Sequence, residues 1–562
     1  MKLLGKAHDP RFWEKVRNDG TFEWYRKELL ESYRKYSEKY PDGLYPALKY
    51  SEFKLFWTTG DRSTYQAPYF DRRRAMETAA LMCLIYPENN EYLSFLMNTI
   101  YTVCDEYTWC LPAHQGQLEP NNNVRIDLFA SETGFQLAEI YTLLGERLEP
   151  LIRNRIMAET ERRIIIPYSS VNNYGWWENG TMNWTAVCTA SVACTVMLLY
   201  PQLMPQLQKR FDASMNSFLT GFKDDGVCFE GCGYWHYGFG FFVMYADMIR
   251  TFTEGKTDFF KIPKVKKVAC FLQNMFLSGN ASVSFSDGGR NITYLTGLLH
   301  YLKNKYPDDV IVYSPEYGRS GAEKFCTHLR GATWFDESIY NNPADNRVPV
   351  EFYAPVSEWL VKRTKAYGFA AKGGNNNEFH NHNDVGSFIF AKNGKQLLMD
   401  FGSGPYTRQY FAAETRYKTL ECSSAGHSVP IVDGVCQFAS KDAKAEDFSF
   451  ENGVLSMNIA PAYKCEGLHK IIRSFRLTED CVYLTDSFDY SGNGKITDRM
   501  VTLIKPEITS ENTVTVGDAT VTFDPEICDV EISSKPRTPS GTFWFIDFNL
   551  KDGVRKFTAT IR

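Results

Sequence analysis

The feature that most constrains this chain is a change of periodicity near residue 345. Up to about residue 340, apolar residues recur at helical spacing over 78–107, 126–165, 184–222 and 239–252, and clusters of Pro, Gly and Asn separate these stretches. Ala79, Leu81, Met82, Ile85 and Tyr86 form one such face; Phe129, Phe135, Leu137, Ile140, Leu143 and Leu144 form another. Successive helical hairpins with no strand between them predict an α-solenoid or an (α/α) toroid. After Val348 the segments shorten and become rich in β-branched and aromatic residues: 358–363, 387–391, 396–400, 456–459 and 481–484. Asn393-Gly394 predicts a type I′ hairpin, because both central positions need φ > 0. The expected fold is α+β, with a helical domain over 1–345 and an antiparallel β-sandwich over 346–562. A chain of 562 residues also exceeds what one hydrophobic core usually serves.

Composition narrows the function classes. A net charge of −5 argues against nucleic acid as a partner, although a locally basic groove would still admit a polyanionic sugar. Aromatic residues make up 15% of the chain, which suits rings stacking on sugar faces and equally a large aromatic core. The first ten residues have no apolar leader run. The longest apolar run, 184–200, is interrupted by Thr185, Thr189, Ser191 and Thr195 and is too short to span a membrane, so no membrane partner is expected. The 14 cysteines are scattered, and Cys228-x-x-x-Cys232 has no second pair to complete a metal site. That pattern predicts reduced thiols in a cytoplasm. The oligomeric state is left open, with a homodimer one candidate.

The chemistry concentrates in one segment. Of nine histidines in the chain, three fall at His380, His382 and His427, with Asp384 and Asp400 between them on apolar strand-like flanks. Imidazole and carboxylate are donors that a Zn²⁺-type ion accepts, and imidazole also transfers protons near neutral pH. Strand geometry constrains the arrangement. If Lys392 pairs with Lys395, Asp400 stands opposite Ser387, and an uninterrupted strand cannot bring His382 to Asp400. The chain must bend near Gly386, which glycine permits; otherwise Asp384 is the better carboxylate ligand.

The motif from His380 through Gly404 to His427 resembles the heparinase II/III-like polysaccharide lyases, a superfamily that includes oligoalginate lyases. The resemblance implies an N-terminal (α/α) toroid, a C-terminal antiparallel β-sandwich and an active site in the cleft between. It further implies that His382, Asp400 and His427 bind one structural Zn²⁺ and that His380 is the active-site histidine. The family's toroid asparagine is matched by Asn183 in Met182-Asn183-Trp184, where it would hold the substrate carboxylate. Trp184 stands where many members have a histidine, which removes a candidate base. The family's catalytic tyrosine lies in a Tyr-rich run after Glu-Gly, here 230–238, where Tyr237 is favoured and Tyr234 is second. His114, Tyr234, Trp184 and Arg416 are expected substrate contacts, with Arg408 a further arginine of suitable geometry.

The residue types fit the implied reaction. A 4-O-linked uronic acid is cleaved by β-elimination when the C5 proton is removed, which requires neutralisation of its carboxylate by donors such as Asn183 and His380. A base then takes the proton and an acid protonates the leaving oxygen. With Trp184 in the histidine's place, Tyr237 acting as both is the simpler proposal. The expected partner is an anionic uronic-acid oligosaccharide, cut exolytically. The alternatives are a toroid glycoside hydrolase, for which no opposed carboxylate pair stands out, and a non-catalytic glycan-binding protein.

Overall fold

The computed structural model describes residues 3–116, 122–537 and 541–562 and divides into two units. The helical unit comprises Met1–Gly221, His236–Lys266 and Tyr294–Pro343; the second comprises Phe222–Trp235, Lys267–Thr293 and Ala344–Arg562. The division is thus not one cut near residue 345. Two segments that precede it in sequence, including Tyr234 and Asp287, pack with the β-rich unit.

Three of the four long helical stretches resolve into hairpins: Ser63–Ile85 with Asn90–Cys104, Leu128–Leu144 with Pro150–Thr160, and Asn183–Leu199 with Met204–Thr220. The breaks follow local chemistry. Asn89 caps Asn90–Cys104 by accepting from the amides of Glu91 and Tyr92, and prolines stand at the first turns of Pro150–Thr160 and Met204–Thr220. The two helices Leu128–Leu144 and Asn183–Leu199 pack on each other. In Asn183–Leu199 every residue is buried except Trp184, Leu198 and Leu199, which suits a toroid's inner ring and explains its small residues Ala186, Ala190 and Ala193. No single helix among the described residues is long and apolar enough to cross a membrane.

The β-rich unit holds three large antiparallel sheets beside a two-stranded one formed by Phe276–Ser278 and Ala281–Ser282. Five strands form a meander over Val350–Ala354, Trp359–Arg363, Gly368–Lys372, Phe388–Lys392 and Lys395–Leu398. A four-stranded sheet is centred on Ile496–Thr502 and Thr542–Leu550, and an eight-stranded sheet on Val482–Tyr490 and Lys556–Ile561. Val482–Tyr490 alternates buried and partly exposed residues along its length, the signature of a strand with one covered face. Phe388, Leu398, Phe475, Leu484, Met500, Ile546 and Phe557 belong to one core drawn from all three sheets.

Lys392 does pair with Lys395 across Asn393-Gly394, both at positive φ. A bulge between Phe390 and Ala391 then shifts the register by one, so Phe390 faces Leu398 and the expected pairing of Ser387 with Asp400 does not hold. The required bend is present. Ser387 donates its amide to the Asp384 carbonyl around a tight turn, and Gly386 takes φ +86° there.

Candidate active site and metal centre

Two polar clusters share one wall in the β-rich unit. The first comprises His382, Asp384, Asp400 and His427, all buried, with one donor atom from each lying within 4.8 Å of the others. The bend at Gly386 supplies the first two, the end of Lys395–Leu398 leads to Asp400, and the turn Ser424–Gly426 presents His427.

The partners of these side chains show what the cluster fits. His382 Nε2 lies 3.2 Å from Asp287 Oδ1, and His427 Nε2 donates to the Glu421 carbonyl at 3.0 Å. Asp384 Oδ1 accepts from Lys372 Nζ at 2.7 Å, and Asp400 Oδ1 accepts from the Gly402 amide at 2.8 Å. Each residue therefore spends one polar atom on the protein. The other atoms, His382 Nδ1, Asp384 Oδ2, Asp400 Oδ2 and His427 Nδ1, are buried and make no well-aligned hydrogen bond among the described residues, His427 Nδ1 and Asp400 Oδ2 facing each other at 3.2 Å. Buried polar atoms without partners are costly, and four that converge are the donor set of a cation. With Nε2 of each imidazole turned to an acceptor, Nδ1 is the nitrogen left to face a metal ion, the arrangement that outer partners impose on metal-binding histidines. The site can hold a metal ion. Asp400 is one of the expected ligands, and Asp384 joins it rather than replacing it.

The second cluster surrounds Asp287, which the sequence reading did not single out. Its Oδ2 lies 2.6 Å from His380 Nδ1 and accepts from the Tyr406 hydroxyl at 3.2 Å. Its Oδ1 faces His382 Nε2, accepts from Arg416 Nη2 at 3.3 Å, and takes a short hydrogen bond from the Tyr410 hydroxyl. Burial works to raise the pKa of Asp287, but hydrogen bonds from His380 and His382, with the charges of His382 and Arg416, win and hold it well below the usual carboxylate range. Close packing permits this density: a Cβ on Gly402, at φ +66°, would meet the Gly288 carbonyl at 2.2 Å.

His380 sits at φ +56°, a left-handed conformation that costs a non-glycine residue free energy and that concentrates at functional sites. The Tyr234 ring packs on its imidazole with centroids 4.4 Å apart. The Tyr234 and Tyr406 hydroxyls are 3.1 Å apart, and Glu230 Oε2 lies 3.7 Å from His380 Nε2. Burial raises the pKa of Tyr234 and Tyr406, and Asp287 raises both further, so each hydroxyl is neutral at ordinary pH.

The remaining expected residues are placed as follows. Arg416 is buried, and its guanidinium is engaged by Asp287 and the carbonyls of Asn381 and Tyr410. Asn183, Trp184, His114 and Tyr237 belong to the helical unit. There His114 Nδ1 lies 2.7 Å from Asp127 Oδ2, and its ring stacks on Phe129 and meets the edge of Trp184. Asn183 is buried at the first turn of its helix, packed against Gly238. Tyr237 donates a short hydrogen bond to Glu132, whose other oxygen accepts from Lys324 at 2.6 Å. Burial and the Glu132 carboxylate push the Tyr237 hydroxyl well above its ordinary pKa. A cavity of about 210 Å³, lined in part by Phe70, Arg74, Phe129, Glu132 and Lys324, lies in the same unit.

Tyr406, Tyr410 and Asp287 were missed because nothing local marks them, and Glu230 was read only as part of the Glu-Gly pair that opens the Tyr-rich run. The nearest sequence signal is Ser286-Asp287-Gly288-Gly289, an acid beside paired glycines, which reads as an ordinary turn.

The fold and the site together define a class: an (α/α) toroid followed by an antiparallel β-sandwich that carries a buried His/Asp metal-type centre. Residues 351–537 match the family model of the heparinase II/III-like C-terminal domain. Among solved structures, heparinase III shares 13% identity at a TM-score of 0.62, covering 98% of this chain and 93% of that one. The heparan sulfate lyase HepC of Pedobacter heparinus shares 12% at 0.59, over 98% of this chain and 92% of its own. The Streptomyces coelicolor A3 chondroitin AC lyase, in complex with chondroitin sulphate, shares 11% at 0.54, over 98% and 82%. These likenesses are of fold. A search of curated protein sequences found no match.

Proposed function

We infer that this protein is a polysaccharide lyase that cleaves 4-O-linked uronic-acid glycans by β-elimination. The observation that carries the reading is the Tyr234–His380–Asp287 cluster, built on a domain of heparinase II/III-like type. His380, with Nδ1 held by Asp287, has Nε2 available to take the C5 proton. Tyr234, kept neutral by burial, is suited to donate a proton to the leaving oxygen. A tyrosine acting as base needs a lowered pKa, and Tyr237 is shifted the other way. In this reading the acid role goes to Tyr234, whose ring packs on His380, rather than to Tyr237, whose hydroxyl is tied to Glu132. Asn183 keeps its proposed role as donor to the substrate carboxylate.

The structural relatives include a heparan sulfate lyase and a chondroitin lyase, which supports an anionic uronic-acid oligosaccharide as substrate. We assign Zn²⁺ to His382, Asp384, Asp400 and His427, because a set of two imidazoles and two carboxylates suits it better than the all-oxygen sets of Ca²⁺ or Mg²⁺. The bound ion would neutralise the two carboxylates and tie three loops together; the proton transfers belong to His380 and Tyr234. None of the 14 cysteines is joined in a disulfide, and we propose a reducing, cytoplasmic setting in which the enzyme cuts short imported fragments exolytically.

The test is incubation with a panel of uronic-acid oligosaccharides in heavy-oxygen water, followed by ultraviolet absorbance. A lyase product absorbs through its new conjugated double bond and carries no solvent oxygen, whereas solvent oxygen in the product would make the enzyme a hydrolase. An early, steep fall in the viscosity of a long polymer would replace exolytic with endolytic cleavage.

A further inference from the structure

Asp287 is buried, lies 93 residues before His380 in sequence, and touches both the active-site histidine and a histidine of the metal-type centre. Its two oxygens are divided between them. Oδ1 faces His382 Nε2, and Oδ2 faces His380 Nδ1 at 2.6 Å. Tyr406, Tyr410 and Arg416 supply further donors, so the carboxylate plane is fixed from several sides.

This division fixes protons by elimination. A carboxylate can only accept, so an imidazole nitrogen at hydrogen-bond distance from it must carry hydrogen. His382 therefore carries its proton on Nε2, which leaves Nδ1 as the ligand atom. His380 carries a proton on Nδ1, so in the neutral ring Nε2 is the nitrogen that can accept one. One carboxylate thus sets complementary tautomers on two histidines two residues apart.

We propose that Asp287 is the positioning residue of the active site, holding His380 in the Nδ1–H tautomer and aiming Nε2 at the substrate, while the same carboxylate locks His382 as a metal ligand. The proposal rests on the lyase reading for its catalytic consequence, but the tautomer itself does not depend on that reading. It also accounts for the left-handed backbone at His380: the strain is held by a short, charge-assisted hydrogen bond.

The experiment is ¹⁵N NMR of the full-length protein labelled at histidine, with the His380 resonances assigned by their loss in His380→Gln. In the wild-type protein His380 should show a bound proton on Nδ1 at neutral pH. Asp287→Asn is nearly isosteric but places an amide donor where Oδ2 was, so the proton should move to Nε2. The variant should lose about 10²-fold or more in kcat, the scale of a lost general base, with KM changed less than about threefold because no substrate contact is removed. A purely structural role would lower stability without moving the tautomer or splitting kcat from KM. A wild-type His380 without a proton on Nδ1 overturns the proposal, whether or not Asp287→Asn folds. So does an Asp287→Asn protein that keeps the Nδ1 proton and wild-type kcat. If no uronide glycan is turned over, the lyase reading falls, and the ¹⁵N result still decides for or against Asp287.

Discussion

Tyr234 and Tyr237 lie three residues apart in sequence, yet their hydroxyls have been given opposite company. Tyr237, in the helical unit, ends on the Glu132 carboxylate, which Lys324 also holds. Tyr234, in the β-rich unit, packs on His380 with the two rings tilted by 30° and reaches the Tyr406 hydroxyl, which donates in turn to Asp287. Both phenols are kept neutral, but for different reasons. For Tyr237 the hydrogen is committed to an anion inside the protein. For Tyr234 the hydrogen faces another hydroxyl, a neutral partner that can exchange roles. A proton donor for catalysis has to be neutral and transferable together, and only Tyr234 combines the two.

The comparison can be broken most directly by removing each hydroxyl. Tyr234→Phe should lower turnover by about 10²–10⁴-fold, the range for loss of a general acid, with substrate binding preserved by calorimetry. If Tyr237→Phe shows that loss and Tyr234→Phe does not, the assignment reverses.

A second contrast is that one neighbourhood is wired to the metal-type centre through Asp287, whereas none of the contacts described for the Glu132 pair reaches that centre. His382→Ala should abolish stoichiometric metal by elemental analysis. It should also cost on the order of 3–5 kcal/mol of stability, the scale of leaving buried charge uncompensated. Retention of one Zn²⁺ per chain with unchanged melting would remove His382 from the ligand set.

The helical unit has its own titrating group, which the catalytic reading does not use. His328 is buried, 3.3 Å from Glu77 and 3.8 Å from Glu28. Burial alone would lower its pKa, but hydrogen bonds and charges from the two glutamates more than offset that and raise it to about 9. A histidine with a raised folded pKa stabilises fully below its unfolded value of about 6.5. That contribution is then lost as pH rises through about 9. Melting temperature should therefore fall between about pH 7 and 9, and His328→Gln should flatten that slope. An unchanged slope in the variant would assign the alkaline loss to other groups.

The smallest effect is expected at Tyr237. Its replacement by Phe should cost about 1.5–3 kcal/mol, one hydrogen bond to a charged acceptor, with turnover within about tenfold of wild type. Glu132 keeps Lys324, so no bare carboxylate is left behind.

How legible this was from sequence depended on the range of the interaction. The helices were legible because amphipathic spacing repeats within one hairpin, and their breaks because Asn89, Pro150 and Pro205 act on their own neighbours. Lys392–Lys395 pairing was legible because Asn393-Gly394 specifies its own turn. The bulge at Phe390 was not, since a bulge answers to packing on the far side of a strand. His380, His382 and His427 announced themselves as a rare residue type clustered along the chain. Asp287 and the tyrosines around it did not, because aspartate and tyrosine are common and their convergence spans more than 90 residues.

What the sequence determined by itself is therefore the periodic part: helical hairpins, alternating strands, a forced bend at Gly386, and histidines with the chemistry to ligate and to move protons. What only the tertiary structure decided is which atoms face each other. It set Asp384 beside Asp400 in one donor set, gave Tyr234 rather than Tyr237 to His380, and brought Asp287 between two histidines. The physical reason is that periodicity is written by residues a few positions apart, which bury a face together. Proton placement depends on hydrogen-bond distances between groups that no local pattern connects, and the packed core fixes those distances only after the chain has closed.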